Sequence, residues 1–223
     1  MSGEVVLFTL AMAALATAGS LPVALWVAWL LARKRWPGKI FVETLVAIPL
    51  VLPPVATGFA LLLLFGRHGW LGAILQNTLG LDIVFTWRAV VMAMAVMSFP
   101  LVVRTARIGF ENVDPQLEDA ARSLGAGPGK VFWQITLPLA RRAVLAGGIL
   151  GFARALGEFG ATVVFAGNIA ERTTTIPLAI YGDIIVGDDS AALQFIAVSL
   201  LLALGAVALG EHLARPVPGA RVV

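Results

Sequence analysis

Five long apolar runs, separated by shorter polar segments, dominate the chain. They cover residues 5–31, 40–65, 89–103, 143–167 and 191–210. A hydrocarbon core of ~30 Å needs about 20 residues of helix. The third run has only 15 uncharged residues, so it must extend through Arg104 and Arg107 to cross. Backbone groups in lipid must be hydrogen-bonded within their own segment. The pattern therefore predicts an all-α polytopic bundle of about five transmembrane spans.

Two shorter features refine this prediction. Residues 176–186 are apolar but too few to cross, and they are expected to form a re-entrant or an interfacial helix. Proline removes a backbone donor and clashes one turn back, so kinks or breaks are expected in the second and third spans. The prolines responsible are Pro49, Pro53, Pro54 and Pro100.

Composition agrees with a membrane protein. Of 223 residues, 59% are hydrophobic and 13% charged, whereas soluble domains carry roughly 25% charged residues. Cysteine is absent, which excludes disulfides, thiolate metal sites and cysteine nucleophiles. His68 and His212 are far apart, so neither a metal nor another cofactor is expected. The basic residues lie in short clusters between apolar runs and the net charge is only +3, which argues against nucleic-acid binding.

The loop charges predict the orientation. Twelve of the 16 lysines and arginines fall on one side of the predicted membrane and three on the other, with Arg154 inside it. The positive-inside rule places the richer side in the cytoplasm. The N-terminus is then outside and the C-terminus inside, as an odd number of spans requires.

The segment between the third and fourth spans, residues 110–142, is polar and rich in helix signals. Asp114, followed by proline, is typical of an N-cap, and Gly125 is placed to end the helix that follows. A second helix is predicted to begin after Pro128 and to end near Pro138. A short helix between two glycine-rich turns suits docking to a partner, although an ordinary ordered loop would have the same pattern.

The spacing within this segment resembles the "EAA" loop of bacterial ABC import permeases. One substitution is visible, because Asp119 stands where that loop usually has glutamate, with Glu118 just before it. The resemblance implies that residues 118–129 form a coupling helix inserted into a groove on a separate ATPase subunit. The residues that it assigns to ATPase coupling are Glu118, Asp119, Ala120, Ala121, Gly125, Ile135, Leu137 and Pro138.

The same segment contains an incomplete P-loop. Gly129 and Lys130 would need glycine five residues before the pair and serine or threonine after it. Leu124 and Val131 occupy those two positions. The chain is therefore predicted not to bind ATP itself, so the energy must come from a partner.

The fourth apolar run contains an ionisable pair, Arg154 and Glu158, four residues apart and thus expected on one helix face. Charges in a membrane are costly and are usually functional or paired. Arg154 and Glu158 could form part of a gate or a structural ion pair between helices, and both interpretations stay open. The prolines of the second and third runs could likewise mark a gate or a static packing kink. The pathway or gate candidates are Pro53, Pro54, Ser98, Pro100, Arg154 and Glu158.

Residues 153–162 resemble the sulfate/molybdate branch of these permeases, and residues 167–169 and 173–177 are similar to its molybdate members. The resemblance implies a single permease domain, 1–223, with the architecture of a type I ABC importer in the cytoplasmic (inner) membrane. Its implied partners are two ATP-binding-cassette ATPase subunits, an external substrate-binding protein and membrane lipid. Catalytic residues are not expected.

Five spans are too few to enclose a pathway comfortably, so a homodimer with the pathway between two copies is expected. The cargo would be an oxyanion, molybdate first, with sulfate or tungstate as alternatives. A stand-alone ion-coupled transporter or channel would need ionisable groups in several spans, whereas this chain offers one pair. A membrane-embedded enzyme lacks a plausible nucleophile or metal pattern.

Overall fold

The computed structural model describes residues 3–34 and 36–214, and this part of the chain is helical. Arg35, Arg215 and Arg221, which contribute to the predicted charge asymmetry, lie outside the described residues. A π-helical segment, Phe132–Thr136, joins α7 to α8. The α-helices are α1 Gly3–Arg33, α2 Lys39–Val51, α3 Pro54–Phe65, α4 Trp70–Leu79, α5 Trp87–Glu111, α6 Pro115–Ser123, α7 Pro128–Val131, α8 Leu137–Leu156, α9 Gly160–Phe165, α10 Ile176–Val186 and α11 Asp189–Ala214.

Within residues 3–34 and 36–214, four continuous helices are long and apolar enough to cross a membrane: Gly3–Arg33, Trp87–Glu111, Pro128–Leu156 and Asp189–Gly210. The first, third and fifth predicted spans are confirmed. The third does extend past Arg104 and Arg107, to Glu111. The eleven-residue helix α10 has the predicted bounds and is about 16 Å long, which is too short to cross.

The second predicted span is sharply broken rather than straight. Helices α2 and α3 meet at an angle of 113°. Pro53 has extended backbone (ψ 135°) and Pro54 begins α3, so the break falls where the sequence places two consecutive prolines. Neither residue has a backbone N–H, and the residue before a proline is pushed out of the helical region.

The bent pair nevertheless carries the chain across. Helices α1 and α5 run parallel, because Arg33 and Val113, near their carboxyl ends, are hydrogen-bonded, while Phe8 and Trp87, near their amino ends, line one cavity. The chain between two parallel spans must return through the membrane. Helices α2 and α3 lie within that return, so the bent pair counts as a fifth candidate span beside the four continuous ones.

The fourth predicted span, residues 143–167, was placed incorrectly. Its helix begins earlier, at Pro128, runs through the π-helical segment and ends at Leu156. Gly157 ends α8, and Phe159 (φ −124°, ψ −55°) precedes the short helix α9. The sequence pattern does not indicate this break, because a glycine such as Gly157 leaves an apolar run uninterrupted although it can end a helix.

Small residues form the centre of the bundle. Ala13, Ala24 and Ala28 on α1 are fully buried. A Cβ at Gly147 of α8 would lie 3.2 Å from Thr105 of α5, which shows how closely those two helices pack. Small residues let membrane helices approach closely enough for van der Waals packing. Many of the larger apolar side chains face outward, as expected for a surface in lipid.

Candidate functional sites

The polar segment 110–142 contains the predicted short helix. Asp114 Oδ1 accepts a hydrogen bond from the Gln116 backbone N–H at 2.9 Å and caps α6, whose first residue is Pro115. Helix α6 ends at Ser123, and Gly125 follows with φ +84°. The predicted N-cap and the glycine end are both confirmed.

Glu118 fixes α6 to the membrane helices. The carboxylate is 4% exposed and accepts from Arg33 Nε at 3.1 Å and from Thr136 Oγ1 at 2.7 Å. Arg122 lies 3.2 Å from its other oxygen, and Arg33 also donates to the Val113 carbonyl at 2.8 Å. One buried carboxylate therefore joins α6 to the end of α1 and to the π-helical segment. Sequence reasoning missed Arg33 and Thr136, because no local spacing relates them to Glu118.

The opposite side of α6 is open. Leu117 and Leu124 are 48% and 89% exposed, and Ala120 is exposed between them. Asp119 is also exposed and pairs with Arg122 at 2.6 Å, while Ala121 is half-buried. Residues 117, 120 and 124 share one face of a helix. Of the two adjacent carboxylates, Glu118 thus faces the protein and Asp119 faces outward.

The remaining residues assigned to this loop lie on the helix that enters the membrane. Ile135 and Leu137 are half-buried and Pro138 is exposed. The prediction that the second helix ends near Pro138 was wrong, since the chain continues as α8. Proline lacks a donor for the carbonyl four residues earlier and clashes with it. The wider π-helical turns at 132–136, just before Pro138, accommodate both effects.

The membrane ion pair forms as predicted, but across a helix break. Arg154 Nη1 lies 2.8 Å from Glu158 Oε2, and the glutamate side chain is 1% exposed against 31% for the arginine. Glu158 lies beyond the end of α8, so the two residues do not share a helix face as predicted. Its other oxygen accepts from the Ala161 backbone N–H at 2.8 Å. Glu158 therefore connects α8 to α9.

Two helix breaks lie side by side. A Cβ at Gly160 would lie 2.7 Å from Pro54 Cβ, and one at Gly58 would lie 2.6 Å from the Ala161 carbonyl oxygen. The start of α3 and the start of α9 are thus in backbone contact. Pro53, Pro54 and Glu158, chosen separately from the sequence, meet at this contact.

The other two pathway candidates, Ser98 and Pro100, lie within an unbroken helix and not at a helix break. Pro100 is buried within α5, which continues without a break from Trp87 to Glu111. Ser98 is fully buried, and its hydroxyl donates to the Met94 carbonyl at 2.8 Å. The carbonyl that Pro100 leaves without a donor is that of Val96, four residues earlier, so the Ser98 bond serves the preceding turn and does not replace the lost one. The third span is therefore not broken at Pro100, whereas a kink there and a gating role for these two residues stay predictions.

The close contact between α3 and α9 contains unpaired polar atoms. Among the described residues, the buried hydroxyls of Thr57 and Thr162 have no hydrogen-bond partner. Buried polar groups are normally hydrogen-bonded, and exceptions call for an explanation. The Thr175 hydroxyl and one Asp183 carboxylate oxygen, which lie beside and on α10, likewise have no partner among the described residues.

Comparison with known proteins gives a consistent result. The family described as "binding-protein-dependent transport system inner membrane component" matches residues 20–217. The molybdenum transport system permease protein ModB of Escherichia coli is 46% identical over 213 residues, 95% of this chain and 93% of that protein. ModB of Haemophilus influenzae is 48% identical over 197 residues, 88% and 86% of the two chains.

More distant relatives and solved structures match as well. The sulfate transport system permease protein CysW of Synechococcus elongatus is 37% identical over 175 residues, 78% of this chain and 61% of that protein. A crystal structure of an amino acid ABC transporter with histidines gives a TM-score of 0.61 at 22% identity, covering 92% and 89% of the two chains. A bacterial ABC transporter that imports alginate gives 0.64 at 15% identity, covering 95% and 79%. The expected ABC importer permease architecture is confirmed.

Proposed function

The chain belongs to the binding-protein-dependent transport system inner membrane components, and on that premise we propose that it moves molybdate through the cytoplasmic membrane of a bacterium. It would do so as the permease subunit of an importer driven by a separate ATPase. Relatives at 46% and 48% identity over most of both chains carry the name of molybdenum permeases. That similarity is the observation that carries the choice of cargo.

The coupling helix α6 supports an ATPase partner. Its outer face presents Leu117, Ala120 and Leu124, an apolar row that docks in a groove in the manner of an amphipathic helix. Its inner face is fixed by Glu118 to Arg33. A force applied to the outer face is therefore passed to α1 and α8. Closure of two ATPase subunits would draw two such helices together.

The contact between α3 and α9 supports a moving element at the depth of the membrane. In broken-helix transporters, interrupted helices line the pathway or its gate. Here the helix that follows the first interruption contacts the helix that follows the second, at Pro54 with Gly160 and at Gly58 with Ala161. The hydroxyls of Thr57 on α3 and Thr162 on α9 have no partner among the described residues. Rearrangement of this contact would give alternating access, outward when ATP is bound and inward after hydrolysis.

A second copy of the chain is part of the proposal. Helices α2 and α3 expose large apolar side chains, among them Phe41, Val51 and Phe59. A pathway between two copies would cover these faces, whereas lipid would cover them in a monomer. The mass of the purified complex tests the point. Two permease and two ATPase subunits are expected, and one of each would contradict the homodimer.

Sulfate is the second candidate cargo, because a sulfate permease is also similar, at 37% identity. Selectivity is expected to reside in the external binding protein, which hands the anion to the permease. Binding of molybdate, tungstate and sulfate to that protein should be measured by calorimetry. Molybdate binding much tighter than sulfate binding is expected. A clear preference for sulfate would replace molybdate as the cargo.

A further inference from the structure

A groove follows the carboxyl-terminal half of α1, on the side where α7 and the π-helical segment pack against it. The part nearer the middle of α1 is a cavity of about 470 Å³, lined on α1 by Leu21, Leu25 and Trp26. Phe132 and Trp133 line the facing wall, and the described residues that border this part are all uncharged. The size falls within the ~300–1,000 Å³ range of small-molecule sites.

A second cavity, of about 510 Å³, continues the groove toward the end of α1. The two cavities share Trp29, Pro128 and Phe132, so they are adjacent. This part is bordered by Arg33 and Lys34. The groove therefore changes from apolar to cationic along α1.

The length of the apolar part corresponds to one leaflet of a bilayer. From Leu21 to Trp29 the helix rises about 12 Å. Half of the hydrocarbon core is about 15 Å. Trp26 and Trp133 are 60% and 67% exposed, although they border the cavity. Tryptophan is enriched at the level of the lipid headgroups.

The polar part has an unbalanced positive charge. Its two carboxylates, Glu118 and Asp119, are matched by the ion pairs with Arg33 and Arg122. Lys34 has no carboxylate partner within residues 3–34 and 36–214. Its Nζ lies 6.0 Å from the centre of the Trp29 ring, at the junction of the two cavities.

We propose that the groove binds an anionic glycerophospholipid, with an acyl chain in the apolar cavity and the phosphate beside Lys34. The apolar cavity is lined by aromatic side chains and is about as long as one leaflet, which suits the acyl chain. The lysine at its end has no carboxylate partner among the described residues, which suits the phosphate. A second protein chain would instead require roughly 800 Å² of surface on each partner. Arg33 borders the polar part and also holds Glu118, so a bound lipid stiffens the support of the coupling helix.

Quenching of tryptophan fluorescence by brominated lipid tests the proposal, since three of the six tryptophans border the groove. The full chain, purified in detergent, is titrated with brominated phosphatidylglycerol and with brominated phosphatidylcholine. About five-fold tighter binding of phosphatidylglycerol is expected, from one lysine near the headgroup. Lys34→Gln should remove this preference. Lys39→Gln should keep it, because Lys39 pairs with Glu43 outside the groove.

The apolar part has its own pair of variants. Gly129 borders the cavity, and a Cβ there meets no atom within 4 Å, so Gly129→Leu should fit and fill the space. Weaker quenching by both lipids is expected. Gly148→Leu is the control, because Gly148 also has open space but lies elsewhere on α8.

Three results would overturn the proposal. The first is equal affinity for the two lipids. The second is unchanged quenching in Gly129→Leu, or loss of the preference for phosphatidylglycerol in Lys39→Gln. Either outcome would mean that the tryptophans contact lipid non-specifically. The third is quenching that disappears when the chain dimerises, which assigns the groove to a second copy.

Discussion

At the scale of single residues, the two adjacent carboxylates of α6 have different tasks. Glu118 is buried against Arg33 and Thr136, whereas Asp119 is exposed and its carboxylate pairs with Arg122 on the same helix. Removing one partner of a buried ion pair costs about 3–5 kcal/mol, while an exposed pair contributes about 0–1 kcal/mol. Position in the family's loop pointed to Asp119, but packing gives the structural role to Glu118.

Glu118→Gln should therefore lower the stability of the chain by about 3 kcal/mol, because Arg33 loses its buried partner. Asp119→Asn is the matched control and should change stability by less than about 1 kcal/mol. Thermal unfolding of both variants in detergent measures the difference. Equal effects of the two substitutions would contradict the anchoring role of Glu118.

Gly125 gives a second prediction at this scale. Its φ of +84° is unfavourable for other residues by roughly 1–2 kcal/mol. Gly127, two residues later, has φ −68°. Neither glycine has an atom within 4 Å of an added Cβ, so the two sites differ in backbone conformation and not in space.

Gly125→Ala should consequently impair ATP-driven uptake while Gly127→Ala leaves it near normal. Membrane insertion should be unaffected in both, because the coupling loop lies outside the spans. Uptake per inserted protein, with insertion followed by immunoblotting of membranes, is the measurement. Normal uptake in Gly125→Ala would argue against the assignment of α6 as the docking helix.

At the scale of elements, the close contact between α3 and α9 limits the size of the side chains that fit between the two helices. A methyl group at Gly58 would lie 2.6 Å from the Ala161 carbonyl oxygen, a backbone atom that cannot rotate away. Gly58→Ala should thus separate the two helices, and a cost of roughly 1–3 kcal/mol is expected for such overpacking. Gly148→Ala, where no atom lies within 4 Å, is the control. A similar unfolding temperature for the two variants would contradict the close contact.

Substitutions of Glu158 test how α8 is joined to α9. Its two oxygens have separate partners, Arg154 and the Ala161 N–H. Glu158→Gln keeps an acceptor for the N–H, whereas Glu158→Ala removes both interactions. Glu158→Ala should therefore destabilise the chain more than Glu158→Gln.

Replacing Glu158 also leaves Arg154 without its partner, and a double variant tests the effect of that unpaired charge. If the pair is structural, Glu158→Leu alone should be more harmful than the double variant Arg154→Leu/Glu158→Leu, since an unpaired charge in a membrane is costly. Unfolding temperature and uptake are measured together. A double variant that folds normally but does not transport would instead support a role in the pathway.

At the scale of the whole molecule, the all-helical architecture with several membrane spans was predictable because lipid imposes strict rules. Apolar length, helical backbone and charge asymmetry each follow from one physical requirement. Several short local signals were also reliable: Asp114 caps α6, Gly125 ends it, and the prolines break the second span. These features depend on neighbours in sequence.

The errors have a common origin in contacts between distant parts of the chain. The break after Leu156 stands within an apolar run, and it is stabilised by Glu158 and by packing on Pro54. The continuation of α7 through Pro138 needs π-helical turns that no residue pattern announces. Arg33, 85 residues before Glu118, was counted only as a loop charge.

The central claim is that this permease moves molybdate only when a separate ATPase hydrolyses ATP. The direct measurement is uptake of radiolabelled molybdate into proteoliposomes that contain the chain, its ATPase and the external binding protein. Uptake should require all three proteins and hydrolysable ATP, and it should fail with a non-hydrolysable analogue. Uptake by the chain alone, without nucleotide, would contradict the account and indicate an ion-coupled transporter or a channel.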